Sequence, residues 1–173
     1  MATVKIVIIG PESTGKTTLT QQLALHFNAP IVAEYAREYL NHKKISAYEL
    51  SDLEAIAKHQ ILQVHHALQG KPNLLFCDTD LVTLHIWALD KFDIAIPFVE
   101  ENLATEKADL YLLCKPDLPW EADPLREDST RRDELFNWNA WVLNSINANI
   151  KIVQGVGEER FNCAKKYVNE FLR

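Results

Sequence analysis

The sequence predicts an α/β fold: three α/β/α layers on a five-stranded parallel sheet, with a lid segment. Three observations carry that expectation. Five short apolar runs, at 4–9, 30–33, 74–77, 110–113 and 150–153, alternate with stretches of helical periodicity. Such runs are nearly continuous in apolar residues, as strands covered on both faces must be. Four of the five end in polar residues, where an open parallel sheet gathers its ligands. The first ends in Gly10-Pro11-Glu12-Ser13-Thr14-Gly15-Lys16-Thr17, a complete G-x-x-x-x-G-K-[ST] loop between a buried strand and a helix. That context makes the octapeptide a phosphate-binding loop and the fold that of a P-loop NTPase.

The elements follow in order. After the loop, Leu19, Leu23, Ala24 and Phe27 recur at helical spacing and predict a helix over 16–27. A short strand over 30–33 ends at Glu34-Tyr35-Ala36-Arg37-Glu38-Tyr39. Ser46-Ala47-Tyr48-Glu49 has the form of a capping box, introducing a long helix to about Leu68 with Leu50, Leu53, Ile56, Ala57, Ile61 and Val64 on one stripe. Gly70, Lys71 and Pro72 stop it. Leu74–Cys77 is a buried strand ending at Asp78-Thr79-Asp80, followed by a helix with Leu81, Leu84 and Trp87. The stretch 92–105 is ambiguous, with Pro97 suited to the first turn of a short helix. The strand at 110–113 runs into a segment rich in Pro, Asp and Arg over 115–132, too polar for core, which is the expected lid. A helix over about 131–145 turns Leu135, Trp138, Val142 and Leu143 inward, and a last helix over 158–172 buries Phe161, Ala164, Tyr167, Val168 and Phe171.

At 173 residues the chain reads as one domain over 1–173, with a substantial core. Its formal net charge of −6 argues against a nucleic-acid partner, whose phosphates call for a basic face. Cys77, Cys114 and Cys163 are widely spaced and show no zinc-type clustering, so reduced thiols in a cytoplasmic protein are expected. Neither a signal peptide nor an apolar run approaching a membrane span is read from the sequence.

The chemistry is expected where the strands end. Gly10, Glu12, Ser13, Thr14, Gly15 and Thr18 belong to the loop that cradles the triphosphate, Lys16 reaches its β- and γ-phosphates, and the Thr17 hydroxyl suits Mg²⁺. ATP and Mg²⁺ are therefore the expected cofactors. Asp78, after four apolar residues, suits the Mg²⁺ shell beside Thr17, although a helix-capping aspartate fits the same position. Glu34 lies where the acceptor of a small-molecule kinase would meet the triphosphate and can take a proton from an attacking hydroxyl. It can equally form an ion pair with Arg37. Arg126, Arg131 and Arg132 in the lid suit phosphate oxygens, or form a solvated charge run. Most tryptophans are core; Trp87, one helix after Asp78, and Trp120, within the lid, are the two whose location favours a ligand.

With these residues assembled, the chain resembles the ribosylnicotinamide kinase domain of bacterial NAD-salvage proteins. The resemblance rests on residues 10–19, on Glu34-Tyr35-Ala36-Arg37-Glu38-Tyr39-Leu40, on Phe76-Cys77-Asp78-Thr79-Asp80, and on 109–113 through Asp117-Leu118-Pro119-Trp120 to Leu125-Arg126. It implies ATP-dependent phosphorylation of the 5′-hydroxyl of nicotinamide riboside. In that frame Lys16, Glu34, Asp78 and Arg126 are the catalytic set, and Thr17 and Asp78 hold the metal. Glu34, Tyr35, Arg37, Asp80, Trp87 and Trp120 face the acceptor, with Asp80 on the ribose hydroxyls. Arg131, Arg132 and Gly155 join the nucleotide-binding set, Gly155 in the region that related kinases give to adenine. The resemblance covers the kinase portion alone, so the DNA-binding and adenylyltransferase functions of those longer proteins are not expected here. Two other readings stay open: a kinase for another nucleoside or small metabolite, and a regulatory P-loop ATPase or switch. Against a guanine-nucleotide switch, the sequence lacks an Asn-Lys-x-Asp signature.

Overall fold

A computed structural model describes residues 2–43, 48–123 and 126–173. Its elements run β1 (Val4–Ile9), α1 (Lys16–Phe27), β2 (Ile31–Val32), α2 (Tyr35–Lys43), α3 (Leu50–Gln69), β3 (Leu74–Asp78), α4 (Leu81–Phe92), α5 (Pro97–Leu103), β4 (Leu110–Cys114), α6 (Arg132–Ser145), β5 (Ile150–Val153) and α7 (Glu158–Phe171). The five strands form one parallel sheet in the order β2-β3-β1-β4-β5. The apolar runs of β1, β3 and β4 are central strands because helices cover both of their faces.

Alternation along β1 divides the core. Ile6 and Ile8 pack with Leu19, Leu23 and Ala24 of α1 and Ala164 and Val168 of α7. Val7 and Ile9 face the opposite layer, where Ala36, Leu53, Ile56, Val82, Val99, Val142 and Leu143 bring in α2 to α6. The sheet thus separates an α1/α7 side from an α2–α6 side. Both sides meet at the carboxyl ends of the strands.

Four details depart from the sequence reading. Residues 35–43 form a helix, α2, that lacks a continuous apolar stripe; it buries only Ala36 and Leu40. Ser46 and Ala47 lie outside the described residues, and the capping box of α3 is instead Glu49 with Asp52, whose Oδ2 accepts the Glu49 N–H at 2.9 Å. Phe171 is 36% exposed and Trp141 is 64% exposed, because each lies on the outward face of its helix. Phe161 and Tyr167 are only partly buried, sharing the α1/α7 side with the fully buried Ala164 and Val168. Pro97 does open α5 at its first turn.

Cys77 and Cys114 are buried free thiols, pushed up to about 12 and about 11 by burial. They are inert packing groups. No helix among the described residues is long and apolar enough to cross a membrane.

The turn from β1 into the phosphate-binding loop depends on Gly10, whose φ is 142° and where an added Cβ would meet the Cys114 carbonyl oxygen at 2.7 Å. Gly10→Ala is expected to destabilise the fold by about 1–3 kcal/mol, read as a lowered urea midpoint with an unchanged slope.

Candidate active site

The loop between β1 and α1 is shaped by left-handed backbone at Ser13 (φ 56°) and Gly15 (φ 72°). It opens α1, whose amino end is a ready anion site because its first N–H groups have no helical partner. Thr14 Oγ1 and Lys16 Nζ both donate to the Pro11 carbonyl, each at 2.8 Å. The ammonium therefore lies folded over the loop.

Beside it, Thr17 Oγ1 donates to Asp78 Oδ2 at 2.6 Å. Asp78 Oδ1 is buried and has no hydrogen-bond partner among the described residues. Desolvation holds the Asp78 carboxyl above its ordinary value, against the pull of Thr17 and Lys16. A hydroxyl and a buried, half-satisfied carboxylate form a hard oxygen pair that fits Mg²⁺, which takes one or two protein oxygens and completes its shell with phosphate and water. Asp78 does not cap α4; Asp80 does, accepting the Val82 N–H at 2.9 Å.

A cavity of about 520 Å³ runs from this loop across the strand ends. Gly10 to Leu19 form one wall. Glu34, Arg37, Thr83, Trp87 and Asn139 line it on the α2–α6 side, and Val156, Gly157 and Arg160 on the α7 side. Glu34 sits at the end of β2, raised by desolvation first, with Lys16 opposing and Asp78 adding to the shift. Arg37 pairs with Asp123 at 2.9 Å, so among the described residues it forms no ion pair with Glu34.

The segment after β4 is stitched to the phosphate loop. Glu12 Oε2 accepts the N–H groups of Glu127 and Asp128 at 2.9 and 3.0 Å. Ser13 Oγ accepts the Glu121 N–H at 2.9 Å, and Arg132 donates to the Leu118 and Ser13 carbonyls at 2.8 and 3.3 Å. Arg132 also lies 5.9 Å from the Trp120 ring, which is not among the residues lining the cavity. Arg131 forks onto Asp90 (2.7 Å) and also meets Asp128 and Glu134. Of the three lid arginines, Arg126 alone lines the cavity, with one N–H on the Glu121 carbonyl at 2.6 Å.

The remaining expected residues divide. Trp87 lines the chamber, its indole N–H held by the Tyr48 hydroxyl at 2.7 Å. Tyr35 stacks on His59 at 3.8 Å and does not line the main cavity. Asp80 turns away from the main cavity: beyond its cap, Oδ2 accepts the Tyr111 hydroxyl at 2.6 Å. Both of its oxygens serve the fold. Gly155 lies just outside the lining, its N–H on Asp117 at 2.8 Å, while Val156 and Gly157 reach the cavity.

Sequence reasoning missed Thr83, Asp90, Lys91, Asn139 and Arg160, all of which line the cavity. A signal existed for Arg160, an arginine on the buried stripe of α7 at four-residue spacing from Ala164 and Val168. It donates to the Gly155 and Lys115 carbonyls at 2.9 and 3.0 Å and pairs with Asp117. Asn139 likewise stands one turn after Leu135 on a buried stripe.

Comparison with known proteins places this geometry. The AAA domain family matches residues 5–160. The trifunctional NAD biosynthesis/regulator protein NadR of Escherichia coli strain K12 is 30% identical over 174 residues, covering 96% of this chain and 42% of that protein. The chain thus spans about two fifths of the length of that curated relative. Among solved structures, a NadR protein in complex with NR superposes with a TM-score of 0.78 at 23% identity, over 98% of this chain and 49% of that one. Thymidylate kinase from Ehrlichia chaffeensis superposes with a TM-score of 0.65 at 13% identity, over the full length of both. At these identities the structural likenesses speak for the fold alone.

The roles assigned to Asp78 and Asp80 separate by experiment. Glu12, Glu34 and Asp78 all have pKa values raised on folding, so the folded state binds their protons more tightly and stability falls as pH climbs from 3.8–4.5 through the raised values. Asp78→Asn removes one such charge and is expected to raise the melting temperature of the ligand-free protein above pH 5 while abolishing Mg²⁺-dependent nucleotide binding. Tyr111→Phe strips Asp80 and the Ala108 N–H of a partner. It is expected to cost about 1–3 kcal/mol in chemical denaturation and to leave the KM for any nucleoside acceptor unchanged.

Proposed function

The chain belongs to the AAA domain family, and on that premise we propose that it is a kinase that transfers the γ-phosphoryl of ATP to the 5′-hydroxyl of nicotinamide riboside. The observation that carries this reading is the single continuous cavity that joins the phosphate loop to a chamber holding the desolvated carboxyl of Glu34. A hydrolytic switch has no need of such a chamber. The acceptor's identity is supported by the relative's place in NAD biosynthesis and by the NR bound in the NadR structure. Regulation and any further NAD chemistry named for that longer protein stay outside the proposal, because the chain spans under half of it.

The chain's residues divide the work. N–H groups at the start of α1 and Lys16 hold the triphosphate, placing its terminal phosphorus toward the chamber. Thr17 and Asp78 would hold Mg²⁺, which would supply charge neutralisation for the triphosphate. Glu34 accepts the proton of the 5′-hydroxyl as the bond from O5′ to the γ-phosphorus forms and the bond to the β-bridging oxygen breaks. Arg126, at the cavity wall, meets charge on the transferring group. Trp87, held by Tyr48, offers a fixed ring face to the base. The buried free thiols suit a cytoplasmic enzyme.

Incubation with Mg-ATP and nicotinamide riboside is expected to yield nicotinamide mononucleotide; product from another nucleoside alone would reassign the acceptor. Lys16→Ala is expected to lose about 10²–10³ in kcat by removing transition-state charge stabilisation. Glu34→Gln is expected to lose about 10²–10⁴ in kcat with the KM for ATP nearly unchanged. In the wild type, kcat is expected to fall on acidification at a pH above 4.5, since the Glu34 carboxyl is raised and must be ionised to act. Full turnover by Glu34→Gln would remove the base assignment.

A further inference from the structure

Glu34 lies in the two-residue connection between β2 and α2, and no hydrogen bond among the described residues reaches its carboxylate. No neighbouring side chain aims it. Its direction is inherited from the main chain that carries it.

Gln60 of α3 holds that main chain on both sides of Glu34. Its Oε1 accepts the Tyr35 N–H at 3.0 Å, and its Nε2 donates to the Ala33 carbonyl at 3.2 Å. A backbone N–H only donates and a carbonyl only accepts, so the two bonds fix which way round the amide sits. The local structure leaves both groups open. Tyr35 opens α2, so its N–H is among those without a helical partner, and Ala33 lies one residue beyond the pairing of β2 with β3, which ends at Val32.

The Ala33 carbonyl belongs to the peptide plane before the Glu34 Cα, and the Tyr35 N–H to the plane after it. A residue has only two soft backbone dihedrals, and these are the rotations of those two planes about its Cα. Tying both planes to one rigid amide fixes φ and ψ of Glu34 together, and with them the Cα–Cβ direction. His59, the preceding residue of α3, adds a brace by stacking its ring on Tyr35 at 3.8 Å. Gln60 itself is 4% exposed and does not line the main cavity, so a nucleotide or nucleoside bound there would not touch it. It stands on the buried stripe of α3 between Ala57 and Val64, where an apolar side chain would serve packing alone.

We infer that Gln60 is a positioning residue of the phosphoryl transfer, clamping the main chain on both sides of Glu34 and so aiming its carboxylate at the acceptor hydroxyl. The inference rests on the reading of Glu34 as the base and deepens it. A misplacement of a reacting group by about 1 Å can cost about 10²-fold in rate, which sets the scale of the effect.

The test is a double-mutant cycle on kcat with Mg-ATP and nicotinamide riboside. Gln60→Met keeps the length of the side chain and removes both bonds. It is expected to lower kcat by about 10–100-fold with the KM for ATP within about twofold of wild type. Added to Glu34→Gln, it is expected to lower kcat by less than about twofold more, because the carboxylate it aims is already gone. An unchanged kcat in Gln60→Met overturns the inference, and so does a KM for ATP that rises in step with the fall in kcat, the mark of a general loosening. Should Gln60→Met fail to fold, Gln60→Glu takes its place in the same cycle, keeping an acceptor for Tyr35 and losing the amide donor to Ala33. Full turnover by Glu34→Gln, or no phosphorylation of any nucleoside by the wild type, overturns the functional reading together with this inference. A crippled Glu34→Gln on which the Gln60 substitution still costs its full factor overturns the inference alone.

Discussion

The parallel register of β1 on β3 sets Ile8 opposite Asp78, and the Thr79 N–H donates to the Ile8 carbonyl at 3.0 Å just beyond. That pairing brings the carboxylate to the first turn of α1, within 2.6 Å of the Thr17 hydroxyl. A one-residue slip would turn Asp78 to the opposite face of the sheet and leave the phosphate loop without its acidic neighbour. The register is held by burial on both faces, since every residue of β3 is buried. The cost of the arrangement is a desolvated carboxylate oxygen with no partner among the described residues. Binding of a cation at that point would recover the stability given up there.

A second constraint ties the phosphate loop to α4. Glu12 and Ser13 of the phosphate loop bind the backbone of the segment after β4, and that segment in turn binds α4 through Asp90 and Lys91. Arg131 holds the Asp90 carboxyl below its usual range, while Asp128 and Glu127 both draw on Lys91. Loop, lid and α4 form one polar network around the cavity mouth. Charges that look like a solvated run in the sequence are mostly committed to one another. Of the arginines in the segment after β4, Arg126 is the one at the cavity wall, which is why the proposal sets it, rather than Arg131 or Arg132, on the transferring phosphoryl.

The sheet and the phosphate loop were legible because their signals are local: continuous apolar runs, a glycine-bounded octapeptide, and Asp78 directly after a buried strand. The α2 helix was not, since the Glu34–Tyr39 stretch carries little apolar periodicity and only Ala36 and Leu40 reach the core. The family resemblance set Asp80 on the ribose hydroxyls, and the sequence does not show the hydroxyl of Tyr111, thirty-one positions away, that donates to it. Thr83 and Asp90 were invisible for the same reason. Nothing in α4 alone marks them; with Asn139, marked only by its place on the buried stripe of α6, they become a wall when the two helices pack on one side of the sheet. Local chemistry is written in the sequence, whereas the cavity beside the phosphate loop is made by tertiary contact.

The central claim is that the triphosphate bound at this loop gives its terminal phosphoryl to a nucleoside rather than to water. The most direct measurement follows ADP and nicotinamide mononucleotide together, with Mg-ATP, in the presence and absence of nicotinamide riboside. One mononucleotide is expected for each ADP, with ADP formation falling to a small residue without the nucleoside. ADP released at the same rate with or without it, and no phosphorylated nucleoside, would contradict the account.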